Sequence, residues 1–386
     1  MCYYERYKAL IHKLGVEYLD ELNKYGYVLP GNNGPYMDPE TPVRNTAHWL
    51  ITFSYLYKET GDKIFLEGLE KCGEYLLSDE ARPMQATFYC RKNPKKDFSN
   101  GLIGQAWVIE ALVEAYSVLD NDKFINAANE VFLLHPFDDN LGLWVVVNVD
   151  GSYKGFDMTF NHQLWFAAAG ALLHNLQQNQ ECRRQIDIFL KKIKHNFQVY
   201  NNGLIKHKIQ RKHNKKEKLR WGYDLCKNWK NRLVSGRNMV YKENGYHLFN
   251  LYAFALIYYY IDSDNQFWES KKFKKALNYA FSDSLFTILE KDNHALDITF
   301  PAMDKKISVN RYGYPYNAPG FELPYIYNIF KDRFFKNNNN QCYEKTKFAL
   351  KRQLALTYET NLNSFSINTE DQRTLNSRIY EITRAL

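Results

Sequence analysis

Three side chains that could transfer protons or bind a polar ligand stand together at the start of one strongly apolar segment. Asp157, Asn161 and His162 come shortly before the run from Leu164 to Ala169, in which every residue is apolar. A helix with that composition beyond its first turn is expected to be buried. Its free N–H groups and its dipole favour an acid or a bound anion at the amino-terminal end. A simpler interpretation is that Asp157 only caps the helix and that His162 is a hydrogen-bonded core histidine.

The composition of the 386 residues narrows the classes of protein to consider. Aromatic residues make up 16% of the chain, and aromatic rings stack on sugars as well as filling cores. The net charge of +8 could favour an anionic ligand, but it is spread too widely to indicate nucleic-acid binding. There is no signal-peptide pattern and no apolar run of the roughly 20 residues that would cross a bilayer, so no transmembrane segment is expected.

The six cysteines are scattered, with no Cys-x-x-Cys pair and no clustering with histidine. This distribution argues against a zinc site and a disulfide framework, and it is typical of a reducing, cytoplasmic compartment. The acids and histidines also lack metal-ligand spacing, so neither a metal nor a cofactor is predicted.

The segments that must position the polar residues alternate between richly apolar helices and more charged ones. Similar turns, such as Thr60-Gly61-Asp62 and Asp120-Asn121-Asp122, each join an apolar helix to a charged one, and these two copies lie about 60 residues apart. Longer connections carry strand-like runs such as Leu143 to Val147. The pattern predicts twelve helices, at residues 3–24, 43–59, 62–78, 101–118, 121–134, 157–177, 180–197, 242–262, 264–281, 319–333, 340–360 and 370–384.

Twelve helices in six hairpins predict an all-α (α/α)6 toroid, with short β-hairpins in the long loops of one face. The alternative is an open α-solenoid, but apolar inner helices and strand-bearing loops on one side favour closure. We expect a single domain over residues 1–386, with an irregular basic insertion at about 206–240. The basic stretch 206–220 is either a solvated loop or a rim that attracts acidic sugars or a phosphate-bearing membrane surface.

In such a toroid the starts of all the inner helices meet at one mouth, which predicts a cleft for a polyhydroxylated ligand. The expected substrate-binding residues are His48, Asn100, Gln105, Trp107, Asn161, Trp165, Tyr246, Tyr316 and Arg373. The expected catalytic residues are Asp157, His162, Asp97, Glu322, Asp371 and His247. For any single residue, capping a helix or filling the core is the alternative role.

Two motifs at this mouth resemble those of six-hairpin sugar enzymes. The segment from Asn100 to Trp107, with its Gly-Gln-Ala-Trp element, is similar to the inner-helix signature of unsaturated glucuronyl and rhamnogalacturonyl hydrolases. Gly155-Phe156-Asp157 is similar to the turn where that group places its catalytic aspartate. The segment 371–378 and the inner-helix histidines resemble, more loosely, the N-acylglucosamine 2-epimerase family. Ser99-Asn100 stands where a second acid would be expected.

These features predict a carbohydrate-active enzyme, and hydrolysis is the favoured reaction among several alternatives. A glycoside hydrolase acting on an acidic oligosaccharide or polysaccharide intermediate would pair Asp157 with Asp97, Glu322 or Asp371. An epimerase or isomerase would instead use a pair of histidines among His48, His162 and His247. The further alternatives are a polysaccharide lyase, and a non-catalytic sugar-binding scaffold on the same fold.

Overall fold

Two concentric sets of helices form the protein, in a computed structural model that describes residues 3–209, 239–261, 264–291 and 309–386. The inner helices are α2 (Val43–Thr60), α4 (Gly101–Leu119), α6 (Phe160–Gln177), α8 (His247–Tyr260), α11 (Pro319–Phe334) and the pair α13 (Gln372–Ser377) and α14 (Tyr380–Thr383). The outer helices are α1 (Tyr3–Tyr25), α3 (Lys63–Leu76), α5 (Asp122–Leu134), α7 (Gln180–Asn196), α9 (Lys271–Ala280) and α12 (Asn339–Thr357), and a short α10 (Asp283–Leu289) follows α9.

The inner helices close into a ring. Each packs against the next, from α2 through α4, α6, α8 and α11 to α14, and α14 packs back against α2. The outer ring also joins its ends, because α1 contacts both α3 and α12. The predicted (α/α)6 toroid is confirmed, and the open solenoid is excluded by the contact of α14 with α2.

Short turns where the inner helices end explain the recurring sequence pattern. Three inner helices end at a residue in the left-handed conformation, and the next residue accepts a backbone N–H of the outer helix as its cap. The ends are Gly61, Asp120 and Gln178, and the caps are Asp62, Asn121 and Asn179. Each turn satisfies the exposed backbone groups of two helices at once.

The long connections run on the opposite side and carry the predicted strands. Between α5 and α6, β1 (Phe137–Asp138), β2 (Leu143–Val147) and β3 (Tyr153–Phe156) form an antiparallel sheet in the order β1-β2-β3. Between α12 and α13, β4 (Tyr358–Glu359) pairs with β5 (Ser364–Phe365). Because each sheet precedes an inner helix, these connections border the end where the inner helices begin.

Most predicted helix bounds lie within three residues of the observed ones, with three exceptions. The helix predicted over 242–262 is interrupted at Tyr246, so that residues 239–245 are helical and α8 starts at His247. The segment 264–281 begins with a short 3-10 turn at Gln266–Glu269 before α9. The segment 370–384 divides into α13 and α14, and the sequence pattern does not predict α10.

Of the described helices, α4 alone has the length and apolar composition that could span a membrane. Nearly three quarters of that segment is buried within the inner ring, so it is weak support for a span. Most of the basic stretch 206–220 lies outside the described residues. The single domain over 1–386 stays a prediction.

Candidate functional site

A cavity of about 180 Å³ opens where the inner helices begin. Its walls come from the loop before α2, the loop before α4 and the first turns of α4, and the starts of α6, α8, α11 and α14. The lining residues are Asn33, Tyr36, Arg91, Lys96, Asn100, Ile103, Trp107, Thr159, Asn161, His162, His207, Lys242, Tyr246, Phe249, Tyr316, Asn317 and Arg378. The volume is below the roughly 300–1,000 Å³ of sites for drug-sized ligands, so it suits one sugar ring better than an extended oligosaccharide.

The cavity lining is cationic. It includes the side chains of Arg91, Lys96, Lys242 and Arg378, together with two imidazoles. None of the described lining residues is an aspartate or a glutamate. A pocket with this charge attracts an anionic ligand and lacks the two carboxylates that most glycoside hydrolases place on either side of the scissile bond.

His162 and Asp157 form a hydrogen-bonded pair at the edge of the cavity. The Nδ1 of His162 lies 2.7 Å from Oδ2 of Asp157, and the other carboxylate oxygen accepts the N–H of Thr159 at 3.0 Å. Burial disfavours the charge on Asp157, but His162 and the backbone donors of Thr159 and Leu102 outweigh it and lower the pKa of Asp157. An ionised carboxylate accepts the Nδ1 proton, so the neutral imidazole carries its lone pair on Nε2.

A glycine turn allows the Asp157–His162 pair to approach α4. Asn100 and Gly101 both have positive φ angles, of 57° and 59°. A Cβ on Gly101 would lie 2.6 Å from Oδ2 of Asp157 and 3.1 Å from Nδ1 of His162. The Gly101 N–H donates to Oδ1 of Asp97, which fixes the turn from the other side. This close approach explains the glycine at this position.

Arg378 lies at the base of the cavity and is fully buried. Its Nη2 is 3.1 Å from Oε1 of Glu322 and 2.5 Å from Oε1 of Glu381, and its guanidinium stacks on the ring of Phe249. Burial lowers the pKa of Arg378, but Glu381 and Glu322 outweigh that effect and raise it. The guanidinium therefore stays charged. Burial raises the pKa of Glu322 well above its ordinary value and that of Glu381 to about 7, so Glu381 carries more of the negative charge that balances Arg378.

Aromatic side chains form the upper wall. The hydroxyls of Tyr36 and Tyr246 are 2.7 Å apart, and the hydroxyl of Tyr316 donates to Asn33 at the same distance. Such rings offer flat faces to a sugar while their hydroxyls stay hydrogen-bonded.

Several polar atoms of the lining have no hydrogen-bond partner among the described residues, although they are buried. They are Nε1 of Trp107, Oδ1 of Asn161, Nδ1 of His207, Oδ1 of Asn317 and Nε of Arg378. Buried polar groups are nearly always paired, and leaving one unpaired costs about 1–3 kcal/mol. Their concentration around one cavity indicates that a polar ligand or water completes them.

Six of the predicted site residues line this cavity, and Asp157 contacts it through His162. The six are Asn100, Trp107, Asn161, His162, Tyr246 and Tyr316. Their roles in binding or catalysis stay predictions.

Two predicted histidines do not reach the cavity. His48 is packed between Tyr380 and the edge of Trp107, and its Nδ1 contacts Ser377. His247 bonds through Nε2 to the backbone carbonyl of Ala276. Burial lowers the pKa of both, so they are neutral core histidines. The predicted convergence of His48, His162 and His247 is corrected: of the three, only His162 lines the cavity.

The predicted partner acids also lie elsewhere. Glu322 is buried below Arg378. Asp371 caps α13 and accepts the N–H groups of the loop before α2. Asp97 is held by Arg91 and Lys154 in an adjacent groove, and these cations overcome burial to lower its pKa to about 2.

Three predicted binding residues support the structure around the site instead. Gln105 bonds to the backbone of Phe88 and Ser99. Trp165 stacks behind Phe249, and Arg373 pairs with Glu21 in a separate depression.

The cavity also contains residues that the sequence pattern does not assign to it, above all His207. Its backbone N–H donates to Glu243 at 2.7 Å, and burial, followed by Lys242, lowers the pKa of its imidazole far below the ordinary value. In the sequence His207 belongs to the basic stretch 206–220. The sequence feature that could have placed His207 at the cavity is its position just after the strand-like Gly203-Leu204-Ile205, because strand-bearing connections border the mouth. Among the described residues, no group of three or more histidines, cysteines and acids could hold a metal.

Known proteins resemble this chain in sequence and in fold. No protein-family model matches it. The chain is 36% identical over 368 residues to archaeal glycosylation protein Q of Haloferax volcanii, across 93% of this chain and 92% of that protein.

Two solved structures show the same architecture at low sequence identity. Cellobiose 2-epimerase from Spirochaeta thermophila has a TM-score of 0.61 at 12% identity, covering 99% of this chain and 98% of that one. Unsaturated glucuronyl hydrolase from Bacillus sp. GL1 has a TM-score of 0.60 at 12% identity, covering 98% and 95%. The resemblance to six-hairpin toroid sugar enzymes is thereby confirmed at the level of the fold. With 36% identity across nearly all of both sequences, the chain belongs to the family of archaeal glycosylation protein Q.

Proposed function

We propose that this protein is a carbohydrate-active enzyme, specifically an epimerase or isomerase that moves a proton on a carbon next to a carbonyl or carboxylate group of an anionic sugar. The observation that carries the proposal is the Asp157–His162 pair at the edge of a cavity whose described lining has cations and imidazoles but no carboxylate. The name of the Haloferax relative supports a role in glycosylation.

His162 is the proposed acid/base. The carboxylate of Asp157 holds the proton on Nδ1, which leaves Nε2 to accept a proton from the substrate carbon. The same carboxylate stabilises the imidazolium that forms. Because the pKa of Asp157 is lowered, the carboxylate remains ionised at neutral pH.

His207 and the cations are proposed to stabilise the negative charge of the enolate. The low pKa of His207 keeps its imidazole neutral, and a neutral imidazole can donate an N–H to an oxygen that becomes negative. Lys96 and Lys242 offer positive charge to a sugar carboxylate, and Arg378, which is ion-paired with Glu322 and Glu381, offers its unpaired Nε–H as a donor. This charge matters because proton loss next to an unneutralised carboxylate would create a second negative charge beside the first.

Hydrolysis is the competing reaction. It is supported by the Gly-Phe-Asp turn at Asp157, but it requires a second carboxylate near the bond. Of the three predicted partner acids, Asp97 is the nearest to Asp157 in sequence, and it is already bound by two cations and a backbone N–H. The geometry therefore favours proton transfer over hydrolysis. The location in the cytoplasm stays part of the proposal.

The test is solvent exchange. The protein is incubated in deuterium oxide with a panel of uronic acids, amino sugars and neutral hexoses, and the recovered sugars are analysed by NMR and mass spectrometry. We expect deuterium at one carbon of an acidic sugar, together with its epimer or isomer. His162→Gln should reduce the exchange rate by about 10²–10⁴-fold, the usual contribution of a general base.

A matched control is His195→Gln, which changes an exposed histidine on α7. This variant should exchange at the wild-type rate. Clean hydrolysis of an oligosaccharide without deuterium incorporation would refute the proposal in favour of a glycosidase. A product with a new carbon–carbon double bond would indicate a lyase. Binding without any turnover would leave the scaffold interpretation.

A further inference from the structure

A second depression adjoins the cavity. This apolar groove has a volume of about 480 Å³ and lies between the loop before α4 and the turn that joins β2 to β3. Its walls are mainly aliphatic and aromatic, and Lys96 belongs to both the groove and the cavity. The residues that line it are Pro83, Met84, Tyr89, Lys96, Asp97, Phe98, Asn148, Val149 and Asp150. The two depressions therefore adjoin at Lys96.

The groove leaves large apolar side chains open to water. Met84 is 63% exposed and Phe98 is 40% exposed, and Phe98 packs edge-on against Tyr89. The polar groups beside them are engaged within the protein, since Asn148 and Asp150 both hydrogen-bond to Ser152. An exposed apolar patch with a polar rim is typical of a binding site. Few polar groups are left to recognise a nucleobase, and the flexible Met84 suits a hydrocarbon chain better.

The junction between the groove and the cavity is basic. The segment 91–98 carries Arg91, Lys92, Lys95 and Lys96 against a single acid, Asp97. Lys96 contacts the buried Asp38 at 2.9 Å, while Lys92 and Lys95 are exposed and form no ion pair with a described residue. A phosphate at this junction would contact Lys96, and the other cations of the loop would add to the positive potential around it.

We propose that the substrate is a sugar joined through phosphate to an apolar chain. The sugar occupies the cavity, the phosphate contacts Lys96, and the start of the chain lies in the groove against Met84 and Phe98. The proposal rests on the proposed function, because it names the substrate class of the same site. The shared position of Lys96 in the linings of both depressions, together with the charge of that loop, supports this occupant.

The test is a binding measurement that does not depend on turnover. n-Octyl phosphate, below the concentration at which it forms micelles, is titrated into the full-length protein by calorimetry, with inorganic phosphate and n-octanol as comparison ligands. We expect n-octyl phosphate to bind at least about tenfold more tightly than either. Met84→Asn should weaken its binding about fivefold or more, because apolar contact area is lost. Lys96→Gln should weaken it about tenfold through loss of a charged hydrogen bond.

Two control variants match these changes elsewhere on the surface. Leu362→Asn alters a residue that is 57% exposed outside the groove, and Lys123→Gln alters an exposed lysine on α5 that lies outside the basic loop and lines neither depression. Both should bind n-octyl phosphate like the wild type. Equal affinity in all variants, or equal affinity for n-octanol and n-octyl phosphate, would overturn the proposal.

Vesicle binding and deuterium exchange distinguish the chain site from a membrane contact and from the proposed function. If Met84→Asn reduced sedimentation with phosphatidylglycerol vesicles but left n-octyl phosphate binding unchanged, the patch would contact a bilayer and the chain site would be rejected. If a free sugar acid showed His162-dependent deuterium exchange while n-octyl phosphate failed to bind, the proposed function would stand and the phosphate-linked substrate would be rejected.

Discussion

Replacing Asp157 by asparagine tests whether its carboxylate orients the imidazole of His162. The substitution keeps the size of the side chain and an oxygen that can accept the Thr159 N–H, which lies 3.0 Å from Oδ1. It replaces the acceptor that faces Nδ1 of His162, at 2.7 Å, with an amide N–H₂. With the amide oxygen held by the shorter Thr159 contact, the imidazole can pair only through a lone pair on Nδ1, which moves its proton to Nε2 and removes the base from the cavity.

The expected loss follows from this contact. A hydrogen bond to a charged group contributes about 1.5–3 kcal/mol, and about 1.4 kcal/mol corresponds to a tenfold change in rate. We therefore expect the deuterium exchange rate of Asp157→Asn to fall by at least about tenfold and up to about 150-fold. Exchange is measured at saturating substrate, and folding is checked by circular dichroism and thermal unfolding.

Asp187→Asn is the matched control, because Asp187 lies on α7 and pairs only with Arg183 among its described contacts. It should leave the exchange rate unchanged. If folded Asp157→Asn exchanged within about threefold of the wild type, Asp157 would not set the tautomer of His162, and the proposed mechanism would be wrong.

Two further predictions concern the backbone and a buried acid. Gly101→Ala should lower the free energy of unfolding by about 1–2 kcal/mol because of the positive φ at this position. It should also slow deuterium exchange by up to about a hundredfold, because the new Cβ displaces Asp157. The control Gly61→Ala has φ +70° and no atom within 4 Å of the new Cβ, so it should lower stability without slowing exchange. Equal exchange rates in the two variants would contradict the role of the close approach. Burial raises the pKa of Glu40 to about 7 despite its ion pair with Arg44, so the folded protein binds this proton more tightly than the unfolded chain. Its contribution to stability should therefore decrease between about pH 4.5 and pH 7, by up to roughly 3 kcal/mol, and chemical denaturation of Glu40→Gln should show a correspondingly flatter pH profile. An unchanged profile would mean that Glu40 titrates normally.

The site can be predicted only in part. Asn161, His162 and Trp107 are recognisable because they stand at the starts of apolar helices, and such starts meet at the mouth of a toroid. The same reasoning selects His48 and His247, which the structure places in the core. A helix surrounded on all sides by other elements has no polar face in its sequence, so its periodicity does not show which first-turn side chain points towards the cavity.

Contacts between residues far apart in sequence account for most of the remaining differences between the predicted and the observed site. Glu322 and Asp371 have the chemistry of catalytic acids, but one contacts Arg378 in the core and the other holds the loop at Gly34. These partners are more than 50 residues away in sequence, and neither spacing nor composition records them. The sequence does not predict the position of His207 because the charged residues next to it indicate a solvated loop.

Neighbouring residues alone specify the alternation of apolar and charged helices, the capped turns between them and the strands in the long loops, because local hydrogen bonding and helical periodicity act over short stretches of chain. The toroid follows from these features. The cationic mouth, the pairing of His162 with Asp157 and the position of His207 in the same cavity are visible only in the folded ring. They depend on which side chains from six separate hairpins meet and which charges are balanced within the core, and packing across the whole ring determines both.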